Sequence, residues 1–234
     1  MRIRVRITGA VQGVGFRPHV YRLARRHGVA GFVLNSVQGV LAEAEGSEAA
    51  VRAFVEELRR EPPPLSVIAA FETSEIPDRG ETQFRVETSD TGGEPEAFLL
   101  PDLALCDACR AEIFDPRNRR YRYPFTTCTH CGPRYSIVES LPYDRPRTSM
   151  RDFPMCGACE AEYHDPADSR FHAQTNCCPA CGPHLELWSP DGRLIAQREE
   201  ALQGAARAVR EGRILALKGI GGFHLVCDAR NRDA

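Results

Sequence analysis

The sequence predicts an α+β protein in three parts, and three observations carry that prediction. Residues 1–90 alternate between strand-like and helix-like periodicity. Residues 106–181 hold two copies of one four-cysteine pattern. Residues 198–234 open with a helix, a short apolar strand and a glycine-rich loop.

Residues 2–8 alternate charged and apolar side chains as a strand should, and Thr8-Gly9 ends it. A glycine-rich stretch follows, then a helix around Pro18–His27 with Val20, Leu23 and Ala24 on one face and Gly28 as its stop. Residues 31–35 and 39–45 read as two strands joined by a tight turn at Ser36–Gly39. A second amphipathic helix spans 47–60, with Val51, Phe54, Val55 and Leu58 at helical spacing and three prolines after it. Strands near 65–72 and 82–88 complete a unit over residues 1–90. The order β-α-β-β-α-β is the ferredoxin-like arrangement, an antiparallel sheet with two helices on one face. Residues 91–99 follow as a linker, on the Ser-Asp-Thr-Gly-Gly-Glu-Pro composition that starts at Ser89.

The segment over 100–188 is defined by its cysteines. Two copies of Cys-x2-Cys-x18-Cys-x2-Cys sit 50 residues apart: Cys106, Cys109, Cys128 and Cys131, then Cys156, Cys159, Cys178 and Cys181. Sliding residues 106–137 over 156–187 also pairs Glu112 with Glu162, Asp115-Pro116 with Asp165-Pro166, Arg120 with Arg170, and Gly132-Pro133 with Gly182-Pro183. This is an internal duplication. Each Cys-x2-Cys turns two sulfurs toward one point, and two such pairs complete a tetrahedron suited to zinc in a closed, structural site. A disulfide framework is the competing reading, expected in a small secreted protein. The amino terminus alternates charge with apolar residues and shows no signal peptide, which favours zinc. One zinc per copy is the favoured pairing; ligands interleaved between copies are the alternative. Cys177 takes the place of Thr127 in the repeat, so Cys178 is the ligand, and Cys177 and Cys227 are left over.

Bulk properties narrow the function classes. The net charge of −2 counts every thiol as neutral, and two zinc–tetrathiolate centres bring it to about −6. That balance gives no support to non-specific nucleic-acid binding. No apolar run approaches the roughly 20 residues of a membrane span, and metal-type cysteine doublets suit a reducing cytosol. All but one of the 30 basic residues are arginine, so the single lysine, Lys218, stands out. Past the cysteines, residues 198–211 read as a helix and Ile214–Leu217 as a strand; Lys218–Leu225 opens a loop leading toward a further strand. The 198–234 unit is shorter than a domain, so the sequence reads as the front of a larger protein.

The chemistry lies in the first glycine-rich stretch, Gln12-Gly13-Val14-Gly15-Phe16-Arg17. Consecutive main-chain N–H groups between a strand and a helix start form an anion-binding concavity, reinforced by the helix dipole. Arg17 adds a planar, permanently charged fork to phosphate oxygens. This string, followed by Gly31-Phe-Val-Leu-Asn35-Ser-Val-Gln-Gly39, resembles the acylphosphatase signature. The resemblance implies that Arg17 binds the phosphate and that Asn35 positions the attacking water. Gly39-Val40-Leu41 departs conservatively from the family's usual Gly-x-Val and leaves both residues untouched.

The whole arrangement is more specific. An acylphosphatase-like unit, twin zinc motifs each closed by Cys-Gly-Pro, and Lys218-Gly-Ile-Gly-Gly-Phe-His-Leu225 together resemble the amino-terminal part of the HypF carbamoyltransferase family of [NiFe]-hydrogenase maturation. The third element then resembles the start of that family's YrdC-like nucleotide-binding domain, truncated, with Lys218 in it. The resemblance implies hydrolysis of carbamoyl phosphate in the first unit and activation of carbamate with ATP and magnesium in the YrdC-like domain. It also implies transfer of the carbamoyl group to the carboxy-terminal cysteine of HypE, in the cytoplasm. Two other readings compete. One is a stand-alone acylphosphatase with a zinc module, which the Lys218–Leu225 stretch disfavours. The other is a zinc-ribbon module for nucleic acid or protein, whose support is the basic Arg117–Arg122 stretch.

Overall fold

Alternation in the first ten residues becomes strand β1, Arg2–Ala10. Its apolar residues Ile3, Val5 and Ile7 enter the core, while Arg2 and Arg4 on the opposite face pair with Glu43. Helix α1 spans Phe16–His27. It starts two residues before the expected Pro18, because Gly15 at φ 77° is the left-handed turn that launches it. Arg17 therefore lies in the first helical turn. Gly28, also left-handed, closes the helix with its N–H on the Ala24 and Arg25 carbonyls. Strands β2, Ala30–Ser36, and β3, Gly39–Glu45, form the expected hairpin. Helix α2, Glu48–Arg60, begins on Ser47, whose side chain accepts from the Ala50 N–H. Strands β4, Val67–Ile76, and β5, Phe84–Val86, follow.

The sheet order is β4-β1-β3-β2-β5. Each neighbouring pair among the first four, β4-β1, β1-β3 and β3-β2, is antiparallel, as the ferredoxin-like pattern requires. The fifth corrects the all-antiparallel expectation: β5 runs parallel to β2. After β4 the chain reverses and crosses to the far edge, where β2 already runs in the new direction. Val5 faces Ala42, and Ala42 faces Val33, so the apolar residues of three strands share one side of the sheet. Val20 and Leu23 of α1 and Val51, Phe54 and Leu58 of α2 join them in one core.

Gly31 fixes the β2–β3 register. Its φ of 129° favours glycine, and a Cβ there would stand 2.0 Å from the Glu43 carbonyl oxygen. Gly31→Ala is expected to cost about 2–4 kcal/mol, read as a lower denaturant midpoint at constant slope. An unchanged midpoint would mean that the hairpin shifts register without penalty.

The structure is a computed structural model describing residues 1–234. It divides into a unit of residues 1–106 with 127–176 and a second of residues 107–126 with 177–234. The first unit holds the five-stranded sheet. The second contains helix α3, Asp107–Phe114, the hairpin of β6, Glu186–Trp188, and β7, Leu194–Gln197, helix α5, Arg198–Arg210, and the hairpin of β8, Leu215–Lys218, and β9, Phe223–Val226. Helix α4, Gly157–His164, is the repeat counterpart of α3. The sequence reading had α5 and β8 but neither the repeat helices nor the β6–β7 hairpin. Its turn signal, Pro190-Asp191-Gly192, was there to be read.

Buried arginines tie the cysteine repeats together reciprocally. Arg120 of copy one donates through Nε to the Cys177 carbonyl at 2.9 Å, and Arg170 of copy two donates to the Thr127 carbonyl at 3.0 Å. These are matching positions in the duplication, so each copy's arginine completes the other's knuckle loop.

Candidate active site

The loop between β1 and α1 is built by two left-handed glycines, Gly13 at φ 73° and Gly15 at φ 77°. Val14 and Phe16 send their side chains into the core, so the loop presents main chain only. None of the N–H groups of residues 13–17 donates to another part of the chain, and α1 has no side-chain N-cap. An uncapped helix start with outward N–H groups suits an anion. Arg17, 8% exposed, and Asn35, 2% exposed, stand beside it.

Arg17 and Asn35 converge on one atom. Arg17 Nη2 lies 3.4 Å, and Asn35 Nδ2 3.3 Å, from the main-chain oxygen of Tyr143. Arg17 Nη1 pairs with Asp144 Oδ1 at 2.8 Å and approaches Ser89 Oγ at 3.4 Å. Gln12, grouped with the phosphate loop from sequence, does something else with its side chain. Its Oε1 accepts from the Tyr143 N–H at 2.7 Å, while its Nε2 donates to the Ser36 and Gly39 carbonyls at 2.6 and 2.8 Å. Gln12 thus bolts the Tyr143 peptide to the β2–β3 turn.

Residues 127–176 line this site, which sequence reasoning did not anticipate. Arg134 is buried and donates to the carbonyls of Gly13, Cys128, Thr129, Cys131 and Pro133. A Cβ on Gly13 would meet Arg134 Cδ at 2.8 Å, and one on Gly15 would meet Thr129 Cβ at 3.3 Å. One signal pointed at Arg134: it breaks the repeat, since His184 stands at the matching place in copy two. His172 also lines the site. Burial first, then the charges of Arg17 and His164, hold its imidazole down at about 3, so it is neutral at physiological pH. Burial pushes the Tyr143 hydroxyl up. A phosphate here therefore meets permanent dipoles and Arg17, with no imidazole or phenol titrating near neutrality.

The cysteines form two groups, Cys106, Cys109, Cys128 and Cys131, and Cys156, Cys159, Cys178 and Cys181, each with its sulfurs within 4.8 Å of one another. Each group is one sequence copy. The Cys106–Cys128, Cys128–Cys131 and Cys178–Cys181 sulfur separations are 3.7, 3.8 and 3.8 Å. A zinc–sulfur bond of ~2.3 Å gives a tetrahedron with edges of about 3.8 Å, so the donor sets fit zinc. None of the ten cysteines forms a disulfide. Cys177 is buried beside the Tyr123 hydroxyl at 3.5 Å, outside both groups.

The basic 117–122 stretch is largely consumed within its unit. Arg117 pairs with Asp115, Arg120 is buried, and Arg122 pairs with Glu199 at 2.7 Å. Lys218 ends β8 with its ammonium 5.2 Å from the Phe223 ring centre. No helix is long and apolar enough to cross a membrane.

Residues 3–86 match the acylphosphatase family model, and residues 105–138 and 155–188 each match the HypF finger. Carbamoyltransferase HypF of Synechocystis sp. is 52% identical over 99% of this chain. The chain belongs to the HypF carbamoyltransferase family. It spans about 30% of the length of that relative. The crystal structure of a full-length HypF in its phosphate- and nucleotide-bound form superposes with a TM-score of 0.90 at 42% identity, over 98% of this chain and 30% of that one. Within the chain, the HypF acylphosphatase unit also resembles free-standing enzymes. The acylphosphatase of Thermotoga petrophila is 37% identical over 86 residues, 36% of this chain and 94% of that protein.

Proposed function

We propose that this chain is the amino-terminal part of a carbamoyltransferase and that its own site hydrolyses carbamoyl phosphate. The observation that carries the reading is the convergence of Arg17 and Asn35 on a single oxygen position beside a row of unbonded main-chain N–H groups. The phosphate sits on the N–H groups of residues 13–17 and on the Arg17 fork. Asn35, a neutral amide that can donate and accept, holds the water. Water attacks phosphorus, the bond from phosphorus to the carbamoyl oxygen breaks, and carbamate leaves as an anion. The water's protons stay with the phosphate. An acyl phosphate is already activated, so positioning and charge stabilisation suffice.

The two zinc ions are structural, because each group offers four thiolates and keeps no position open for water. In the whole protein carbamate is activated with ATP and magnesium, with Lys218 at the start of the YrdC-like domain, and the carbamoyl group passes to HypE. The nucleotide-bound HypF relative supports the ATP step. This chain is expected to release phosphate from carbamoyl phosphate. Reduced metal thiolates suit a cytoplasmic setting.

The test is phosphate release from carbamoyl phosphate by the zinc-loaded chain, beside Asn35→Ala. Loss of the water-holding amide is expected to lower kcat about 100-fold or more with little change in phosphate affinity. A chain that releases no phosphate overturns the reading, and an Asn35→Ala variant with the wild-type kcat removes Asn35 from it.

A further inference from the structure

The acylphosphatase family model matches residues 3–86 of this chain. Tyr143 and Asp144 lie outside them, in the first unit, yet they touch both groups assigned to the chemistry. This contact is built on both sides. Gln12 holds the Tyr143 N–H at 2.7 Å, and Gln174 Oε1 accepts the Arg145 N–H at 2.8 Å. The Arg145 guanidinium also donates to the carbonyls of Gln174, Asn176 and Phe153.

The donors of Arg17 are divided by this arrangement. Nη1 is taken by Asp144 and Ser89, while Nε donates to no protein group and Nη2 makes only its long contact to Tyr143. A guanidinium binds phosphate best edge-on, through two parallel N–H bonds. With Nη1 occupied, the edge formed by Nε and Nη2 is the one left for phosphate. Asp144 also leaves the N–H groups of residues 13–17 untouched, so it does not fill the anion seat.

We propose that Asp144 is a positioning residue for the hydrolysis, fixing the Arg17 guanidinium through Nη1 so that its Nε–Nη2 edge meets the phosphate. The inference rests on the reading of Arg17 as the phosphate ligand. It carries a cost that makes it testable, since a carboxylate beside the seat repels the phosphate it helps to orient.

The experiment measures kcat for carbamoyl phosphate and the Kd of inorganic phosphate, using the zinc-loaded chain, Asp144→Asn and Asp144→Glu. In Asp144→Asn, kcat is expected to fall about 10–100-fold, as for lost support of a reacting group. Phosphate is expected to bind about threefold tighter, because one neighbouring negative charge is gone. Asp144→Glu keeps the charge and is expected to recover part of kcat and the wild-type Kd. Weaker phosphate binding together with lower kcat marks a merely structural role and overturns the proposal. Tighter binding with higher kcat marks Asp144 as a plug and also overturns it. A wild-type chain that binds phosphate without hydrolysing carbamoyl phosphate overturns the hydrolytic reading, and this proposal with it.

Discussion

Arg17→Ala is expected to lower kcat/KM for carbamoyl phosphate by about 1,000-fold or more, close to 4 kcal/mol of transition-state stabilisation. Arg17 is the only side-chain cation with donors directed at the oxygen where Asn35 also converges. Arg134, the other arginine lining the site, is spent on five carbonyls. Loss of Arg17 also leaves Asp144, with a side chain 20% exposed, beside the phosphate seat without its 2.8 Å partner. The remaining field then opposes anion binding, so KM should rise as kcat falls. Arg17→Lys restores the charge but not the fork and is expected to recover only part of the loss. The measurement is phosphate release over a range of substrate concentrations, with zinc content matched between variants. Wild-type rates in Arg17→Ala would remove the glycine-rich loop from the chemistry.

Zinc removal is expected to have the largest structural effect. A structural zinc contributes about 10–16 kcal/mol of apparent binding energy, comparable to or greater than the ~5–15 kcal/mol net stability of a whole domain. A strong chelator should extract two zinc ions per chain and cost the cysteine repeats their folded structure, visible by circular dichroism. Hydrolysis should fail in parallel. Residues 128–133 include the Cys128–Cys131 knuckle, and four of their carbonyls hold the Arg134 that donates to Gly13. The site would therefore lose its wall without any change to Arg17 or Asn35. Full activity after both ions have been removed would show that residues 1–90 work alone.

Much of this was legible in the residues. Period-two alternation in β1 and helical spacing in α2 are local signals, and the order of strands and helices in the first sheet is read from them. The cysteine duplication was equally plain, because a 50-residue offset aligns charges and turns as well as sulfurs. The wall of the site was not legible. Tyr143 and Asp144 lie more than 100 residues from Arg17 and Asn35, in irregular structure with no period, so nothing local announces the contact. Gln12 lies between β1 and α1, but a sequence does not say where an amide side chain turns. The parallel β5 was missed because strand direction depends on which edge the returning chain reaches.

The reciprocal arginines bear on how this tandem can be handled by recombination. Arg120 reaches the Cys177 carbonyl and Arg170 the Thr127 carbonyl, each crossing from one copy into the other. Neither copy is a portable cassette, even though each owns a complete set of four sulfurs. A chimera that swaps in one finger from a distant homologue inherits half of two handshakes, and its junction should be drawn around the pair.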